Sequence, residues 1–270
     1  MAPVRSTPKD ERDLAVAAHN NRVLSFDNLS GLPGWLSDAF SRLSTGGGFA
    51  TRELHSDRNE VVIVANGPLL LNGIADLGAR ADLGDRALTF TLPAIGDDKR
   101  QTEAKFWADF ELRRPGILGA LCDAVSCALR RQGEVKLDRK LRMADFIEWV
   151  EAAAPALGVE PGAFSRAYAE NRAATVRMAI ENNPVAQAVR SLAREIERWE
   201  GSASDLIPLL DDRVTEATKK HRSWPSMPST LGRALMRLAP DLRRVGVDVR
   251  RERRGKARDR VWVIEHKGER

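Results

Sequence analysis

The chain has 270 residues, of which 43% are hydrophobic and 30% charged, a composition typical of a soluble globular protein with one large domain or two modest ones. No apolar run approaches the roughly eighteen residues of a transmembrane helix, and the polar N-terminus lacks the apolar core of a secretory signal. Two cysteines five positions apart and four scattered histidines do not form a finger-like ligand pattern. We therefore expect a cytoplasmic protein with no membrane partner and no structural zinc.

Positive charge is concentrated at the C-terminal end of the chain. Residues 201–270 carry 17 Lys and Arg against 10 Asp and Glu, whereas the 200 residues before them carry 26 against 28. A near-neutral body with a basic end predicts a localised contact with a polyanion rather than general adhesion to one.

The N-terminal third alternates short apolar strands with helices. The pattern predicts a helix over 9–20, a buried strand over 22–27, a helix from Pro33 to Leu43 and a β-hairpin over 50–64. Apolar runs at 69–72 and 88–92 predict two further strands. This alternation favours an α/β core with a mainly parallel sheet.

From Pro93 onward the hydrophobic pattern has a helical period. One helix is predicted to carry an apolar face made of Ile117, Leu118, Leu121, Val125 and Leu129, and further helices are predicted at 160–180 and 184–199. We interpret this region as a helical lid. A boundary near residue 200 completes the predicted domains, which are 1–96, 97–200 and 201–270.

The last predicted domain has the element order of a winged helix. A helix over 204–221 precedes a turn, a second helix runs from Thr230 to Arg244, and Gly246 ends it. Two alternating strands follow at 247–249 and 261–264. In a winged helix, one helix enters the major groove and the loop between the strands lies along the DNA backbone.

Basic residues cluster on the second helix of this domain and between its two strands. Residues 250–260 hold seven Lys and Arg and two Asp and Glu, a density that suits phosphate contacts. A solvated, charged hairpin is the alternative interpretation. The predicted duplex-contacting residues are Arg233, Arg237, Arg250, Arg251, Arg253, Arg254, Lys256, Arg258 and Arg260.

Three polar side chains follow predicted strands or turns in the N-terminal third. Asp27 ends a strand at the position where many nucleotide hydrolases hold magnesium, and Asn72 ends another, where a polar group can orient a water. Arg86 lies on a turn from which an arginine finger can reach a neighbouring subunit. Each residue also has a purely structural interpretation. Asp27 would mark a strand that enters a turn, Asn72 would form a turn before Gly73, and Arg86 would be a surface residue paired with Asp85.

The sequence contains no phosphate-binding loop of the form GxxxxGK[ST]. The three glycines Gly46–Gly48 do not form one, because no Lys-Ser or Lys-Thr follows them. They are interpreted as a flexible joint before the predicted hairpin.

An ordered set of motifs resembles a known family. The segments are VLSFDNLS at 23–30, WLSDA at 35–39, TGGGFATR at 45–52, LNGI at 71–74, DLGDR at 82–86 and RMADF at 142–146. With the tail from Trp224 onward, they resemble phage- and plasmid-type ATP-binding replication proteins, which are similar to primase-associated superfamily 3 helicases of the AAA+ class. The resemblance covers nearly the whole chain.

The resemblance implies an α/β fold with a partial AAA+-like P-loop NTPase core, a helical lid and a C-terminal winged helix. Asp27 would be the Walker B magnesium ligand, Asn72 the sensor-1 residue, and Arg86 the arginine finger or a second sensor. The predicted hairpin would touch single-stranded DNA in the pore of a homo-oligomeric ring. Its basic residues are Arg52, His55 and Arg58.

Two departures from that family pattern leave two interpretations open. Asn28 stands where a water-activating Glu usually follows the Asp, and the Walker A segment is missing from the chain. The chain would then be a DNA-binding component of a mobile-element replication ATPase that does not hydrolyse ATP on its own. Alternatively, with ATP, magnesium and a separate P-loop segment or a primase as partners, it would be an ATP-dependent helicase. A winged-helix regulatory DNA-binding protein is a third possibility, but it leaves the first 200 residues unexplained.

Overall fold

The computed structural model describes residues 4–52, 60–64, 66–73, 81–137, 142–221, 223–254 and 259–268. The chain divides into two compact units, Met1–Ala87 with Ala173–Arg270, and Leu88–Arg172. The fold is mixed α/β with a small parallel sheet, as the sequence predicts, and it also contains antiparallel sheets. None of the helices in the described ranges combines the length and apolar character needed to cross a bilayer.

A three-stranded parallel sheet organises the N-terminal part of the first unit. Its strands are β1 (Val4–Arg5), β2 (Leu24–Phe26) and β5 (Leu69–Leu71), with β2 in the centre. Strands β2 and β5 confirm two predicted strands, whereas β1 lies in the polar N-terminal stretch for which no strand is predicted. The second strand supplies buried Leu24 and Phe26 to the core because its side chains alternate in orientation.

Two helices share the core of this parallel sheet. Helix α1 (Glu11–Asn20) begins after Asp10, whose carboxylate accepts a hydrogen bond from the Asp13 N–H at 2.9 Å. Helix α2 (Gly34–Leu43) begins after Pro33, as predicted. The shared core includes Leu14 of α1, Leu36 and Phe40 of α2, and the two buried residues of β2.

The predicted hairpin is confirmed but is separate from the parallel sheet. Strands β3 (Gly48–Arg52) and β4 (Glu60–Val64) pair antiparallel with each other. The turn that joins them, residues 53–59, lies outside the described residues. The run at 60–64 is therefore not one of the parallel strands.

The second unit is helical and has a small core. It contains α4 (Glu103–Arg131), α5 (Ala144–Ala153) and the first half of α6 (Ala163–Glu181). The buried cluster between α4 and α5 is made of Ala124, Ala128, Ala152 and Ala153. The large side chains of the predicted apolar face of α4 do not form a core, because they are 47–61% exposed.

The strand predicted at 88–92 is absent from the described residues 81–137, where this stretch is irregular. The side-chain amide of Asn171 takes both backbone groups of Thr89: its Oδ1 accepts from the Thr89 N–H at 3.0 Å, and its Nδ2 donates to the Thr89 carbonyl at 2.5 Å. The Asn171 side chain thus makes the two backbone hydrogen bonds that a neighbouring strand would otherwise make with Thr89.

The C-terminal module, residues 184–268, closes the chain. Its elements are α7 (Pro184–Ile196), β6 (Arg198–Gly201), α8 (Ala203–Asp211), α9 (Glu216–Lys220), α10 (Pro228–Arg244), β7 (Val247–Arg254) and β8 (Asp259–His266). The three strands form an antiparallel sheet in the order β6-β8-β7. Helix α10 confirms the second predicted helix of this module, and Gly246 at φ 80° ends it, as predicted. Its side chains Leu231, Leu235 and Leu242 are fully buried.

Three predicted boundaries in this module are wrong. The helix predicted at 184–199 ends at Ile196, because residues 198–201 pair with β8 as a strand. The helix predicted at 204–221 is two helices, α8 and α9, and the Thr215 hydroxyl caps the second one. The basic stretch predicted as a loop from Arg250 is part of strand β7 as far as Arg254.

Candidate functional site

The ends of two adjacent parallel strands bring two predicted site residues together. Asp27 follows β2, Asn72 follows β5, and the Asn72 side-chain amide donates a hydrogen bond to Asp27 Oδ1 at 2.6 Å. The backbone continues the pairing on both sides, since the Asn72 N–H donates to the Phe26 carbonyl at 2.9 Å and the Leu29 N–H to the Asn72 carbonyl at 3.0 Å. A polar pair at the carboxyl edge of a parallel sheet lies where α/β proteins place ligands.

The backbone around this pair is tightly fitted. Asn28 has a left-handed backbone, with φ of 54°, a conformation that Asn tolerates better than most residues. A Cβ on Gly73 would come within 2.2 Å of the Leu29 carbonyl oxygen. Glycine at this position therefore lets the segment after β2 approach the segment after β5.

Arg86 does not join this pair. It follows α3 (Ala81–Gly84), where its backbone N–H donates to the Leu83 carbonyl, and no hydrogen bond or ion pair links it to Asp27 or Asn72 within the described ranges. Its neighbour Asp85 forms an ion pair with Arg244 of α10 at 2.8 Å. That bond to Asp85 raises the pKa of the Arg244 guanidinium.

Six predicted DNA contacts lie in parts of the chain for which no side-chain position is described. In the β3–β4 hairpin these are Arg52, His55 and Arg58. In the β7–β8 ribbon they are Arg254, Lys256 and Arg258. Their roles stay predictions.

One face of the β7–β8 ribbon is electrically neutralised. We call it the outer face, and it carries Asp248, Arg250, Glu252 and Glu265. The Arg250 guanidinium bonds to all three carboxylates, at 2.8 Å to Asp248, 2.7 Å to Glu252 and 2.9 Å to Glu265. The bonds to Glu252 and Glu265 raise the pKa of Arg250.

Asp248 is the centre of this outer network. Burial alone would raise the pKa of its carboxyl, but hydrogen bonds from Arg243, Lys267 and Arg250 outweigh that effect and hold the pKa below its usual value. Arg250, predicted as a DNA contact, therefore has three carboxylate partners within the protein.

The opposite face of the ribbon is turned toward α10, and its arginines lack carboxylate partners in the part of the chain that the structure describes. Cross-strand pairing places Arg251 beside Trp262, and Arg253 beside Arg260. Toward the other end of the ribbon the same face contributes Val249 and Ile264 to the core. No carboxylate lies within 4.0 Å of the guanidinium of Arg251, Arg253 or Arg260 among the described residues.

A cleft of about 480 Å³ lies between this face and the N-terminal half of α10. We call it the basic cleft, and the residues that line it include Gly232, Arg233, Met236, Arg251, Arg260 and Trp262. Arg233 comes from the helix wall, whereas Arg251 and Arg260 come from the ribbon wall. The Arg251 guanidinium carbon lies 5.8 Å from the centroid of the Trp262 ring, within cation–π range.

Two protein-family models match consecutive parts of the chain. The family model described as the actinomycete integrative conjugative element replication protein matches residues 1–172. The chain belongs to that replication protein family. A second model, described as the C-terminal domain of the RepA protein of these elements, matches residues 185–270, from the first turn of α7 onward. No curated protein and no solved structure matches the chain significantly.

Membership of this replication protein family supports a role in the replication of a mobile element. It agrees with the coarse resemblance drawn from the sequence motifs. The descriptions of the matching models name no helicase activity and no AAA+ core.

Some residues of the basic cleft were missed by the sequence interpretation. Gly232, Met236 and Trp262 carry no charge, and the sequence pattern places them only in a predicted helix and a predicted strand. The one available signal was a glycine inside an amphipathic helix, which is disfavoured unless close packing or function requires it.

Proposed function

We propose that this replication protein is a DNA-binding component of the element's replication machinery and that its C-terminal module is a winged helix. The element order, which is helix, strand, three helices and two strands, and the sheet order β6-β8-β7 support that assignment. Helix α10 would be the recognition helix, and the β7–β8 ribbon the wing.

The observation that carries this proposal is the separation of charge between the two faces of the ribbon. On the outer face Arg250 is neutralised by three carboxylates, whereas the arginines of the basic cleft have no carboxylate partner among the described residues. Unpaired guanidinium groups on two facing walls suit phosphate groups, because Arg binds them through a planar set of donors.

The proposed contacts are therefore a subset of those predicted from sequence. Arg233, Arg251 and Arg260 line the basic cleft, and Arg237 and Arg253 lie exposed beside it. Arg250 is left out, because its charge is already neutralised within the protein.

Fluorescence anisotropy with a labelled duplex, over a series of salt concentrations, tests this proposal on the full chain. If Arg233, Arg251 and Arg260 each neutralise one phosphate, their replacement by Ala should flatten the log–log salt slope by about 2.7, at roughly 0.9 per phosphate. At about 0.1 M salt, that change corresponds to an affinity loss of roughly 500-fold.

A matched control removes the same net charge from α4 of the second unit. Lys105, Arg113 and Arg130 are exposed on that helix, and Ala is well tolerated in helices. The triple Ala control should keep the wild-type slope. If the cleft variant keeps it as well, or if the two variants lose affinity equally, the basic cleft is not the DNA contact.

A second candidate function is nucleotide binding at the Asp27–Asn72 pair. It is favoured by the 2.6 Å hydrogen bond between two polar side chains at adjoining parallel strand ends. A carboxylate and an amide oxygen are ligands that magnesium accepts, and phosphates of the nucleotide usually complete its coordination. The described residues hold no cluster of three or more His, Cys, Asp or Glu around a common point.

We infer that Asp27 would hold magnesium and Asn72 would position Asp27, an arrangement that supports nucleotide binding without turnover by this chain. The 270 residues contain no GxxxxGK[ST] loop, and Asn28 offers no general base. A steady-state ATPase assay, with and without DNA, should show no appreciable hydrolysis. Turnover near one per second that Asp27→Ala abolishes would overturn this inference.

A further inference from the structure

The floor of the basic cleft contains apolar side chains, which phosphate contacts alone do not require. Met236, which is 58% exposed, presents apolar surface there, whereas Trp262, which is 4% exposed, adds only a small part of its surface. A duplex that lay across the rim would present phosphates to the arginines and leave this floor without a partner. Apolar surface beneath cationic walls instead suits a ligand with both a flat apolar part and negative charge.

Gly232 keeps the cleft open. It lies in the second turn of α10, where glycine is disfavoured compared with alanine. Its backbone does not need glycine, since its φ is not positive, and among the described residues a Cβ there would meet only the Trp262 ring, at an ordinary 3.6 Å. Neither backbone strain nor a steric clash requires glycine here, and the absence of a long side chain at this position leaves the cleft open.

Arg251 is arranged to stack on a flat group. The cation–π contact with Trp262 holds the guanidinium beside the floor of the cleft. Guanidinium planes are a common stacking surface for unpaired nucleobases. Arg233 and Arg260, on the two walls, are then available for the phosphates that flank such a base.

We propose that the basic cleft binds one unpaired nucleotide of DNA, with its base and sugar against the exposed side chains of Met236 and Arg251. Its flanking phosphates would be bound by Arg233 and Arg260. This inference rests on the proposed DNA-binding function and specifies its substrate: a duplex that contains an unpaired nucleotide. The volume of about 480 Å³ falls within the range of roughly 300–1,000 Å³ of small-ligand pockets.

The test compares two DNA ligands with the full chain by fluorescence anisotropy. One is a blunt duplex, and the other is the same duplex with a single-nucleotide bulge of 2-aminopurine. We expect the bulged duplex to bind at least tenfold more tightly. The fluorescence of 2-aminopurine should also change on binding, because the base leaves its stack and enters the cleft.

Two variants at one position separate filling of the cleft from loss of charge. Gly232→Leu fills the cleft and leaves every arginine in place, so the preference for the bulge should fall to less than twofold while blunt-duplex binding persists. Gly232→Ala adds one methyl group and should keep the preference. Thermal unfolding of both variants shows whether α10 still folds.

The outcomes separate this inference from the function on which it rests. If wild type binds both ligands equally well, the nucleotide site is refuted and DNA binding stands. If the preference survives in Gly232→Leu, the unpaired nucleotide binds elsewhere and the inference fails. If wild type binds neither ligand, the proposed DNA-binding function itself is overturned.

Discussion

Glu151 offers a sharp test of how the second unit is held together. It lies on α5, is 7% exposed, and its carboxylate accepts three hydrogen bonds from the start of α6. Those bonds come from the Gly162 N–H at 2.8 Å, the Ser165 N–H at 2.7 Å and the Ser165 hydroxyl at 2.6 Å. Backbone N–H groups at a helix start otherwise lack partners, so Glu151 ties α5 to α6.

Glu151→Gln should destabilise this unit by about 2–4 kcal/mol. A hydrogen bond to a charged group contributes roughly 1.5–3 kcal/mol, and the Gln amide keeps one acceptor oxygen while its NH₂ faces N–H donors. The assay is hydrogen exchange of the Gly162 and Ser165 amides, together with denaturant unfolding. Glu148→Gln on the same helix is the matched control and should change neither.

The effect of Glu151 should also depend on pH in a defined direction. Burial alone would raise its pKa, but the hydrogen bonds from Ser165 and Gly162 outweigh burial and lower the pKa below the ordinary 4.5. The native state therefore binds this proton less readily than the unfolded state does. The stabilisation is complete above the unfolded pKa and is lost as the pH falls through the lowered folded pKa.

The difference between wild type and Glu151→Gln should accordingly be constant from pH 7 to about pH 5 and shrink below it. Equal stability of the two proteins at pH 7, with unchanged exchange at Gly162 and Ser165, would refute this account of the α5–α6 contact.

Two further substitutions test the N-terminal core and the C-terminal module. Gly73→Ala should lower stability by about 2 kcal/mol or more, because its Cβ would overlap the Leu29 carbonyl at 2.2 Å; an unchanged midpoint in urea would show that the two strand ends are not so close. Asn183→Ala should cost about 1 kcal/mol, because the Asn183 side chain caps α7 by accepting from the Ala186 N–H at 3.1 Å; a thermal midpoint equal to that of wild type would count against this cap.

Local sequence patterns were sufficient to predict an element where that element makes its own contacts or buries one clear face. The stripe of leucines on α10, the Pro33 start of α2 and the Gly246 end of α10 all have local causes, namely helical periodicity and backbone preference. The strands that end in Asp27 and Asn72 were predicted for the same reason.

Pairing between distant segments decided the elements that the sequence missed. Residues 198–201 form a strand because they pair with β8, whereas within residues 88–92 both backbone groups of Thr89 are bonded to the Asn171 side chain. Neither partner lies within the window that a hydrophobic pattern samples. Helix α4 has one face of large apolar residues and another of alanines. The alanine face forms the core because α5 packs closely against it.

The charge count near the C-terminus was readable from the sequence, but the use of each charge was not. Arg250 and Arg251 are neighbours in the chain, yet strand alternation turns them to opposite faces. The pairing of Asp248 with Glu265 places carboxylates beside Arg250, whereas that of Arg251 with Trp262 places an aromatic ring beside Arg251. The sequence by itself determined a basic end; the register of β7 and β8 decided which arginines remain available for a ligand, because it sets which side chains share a face.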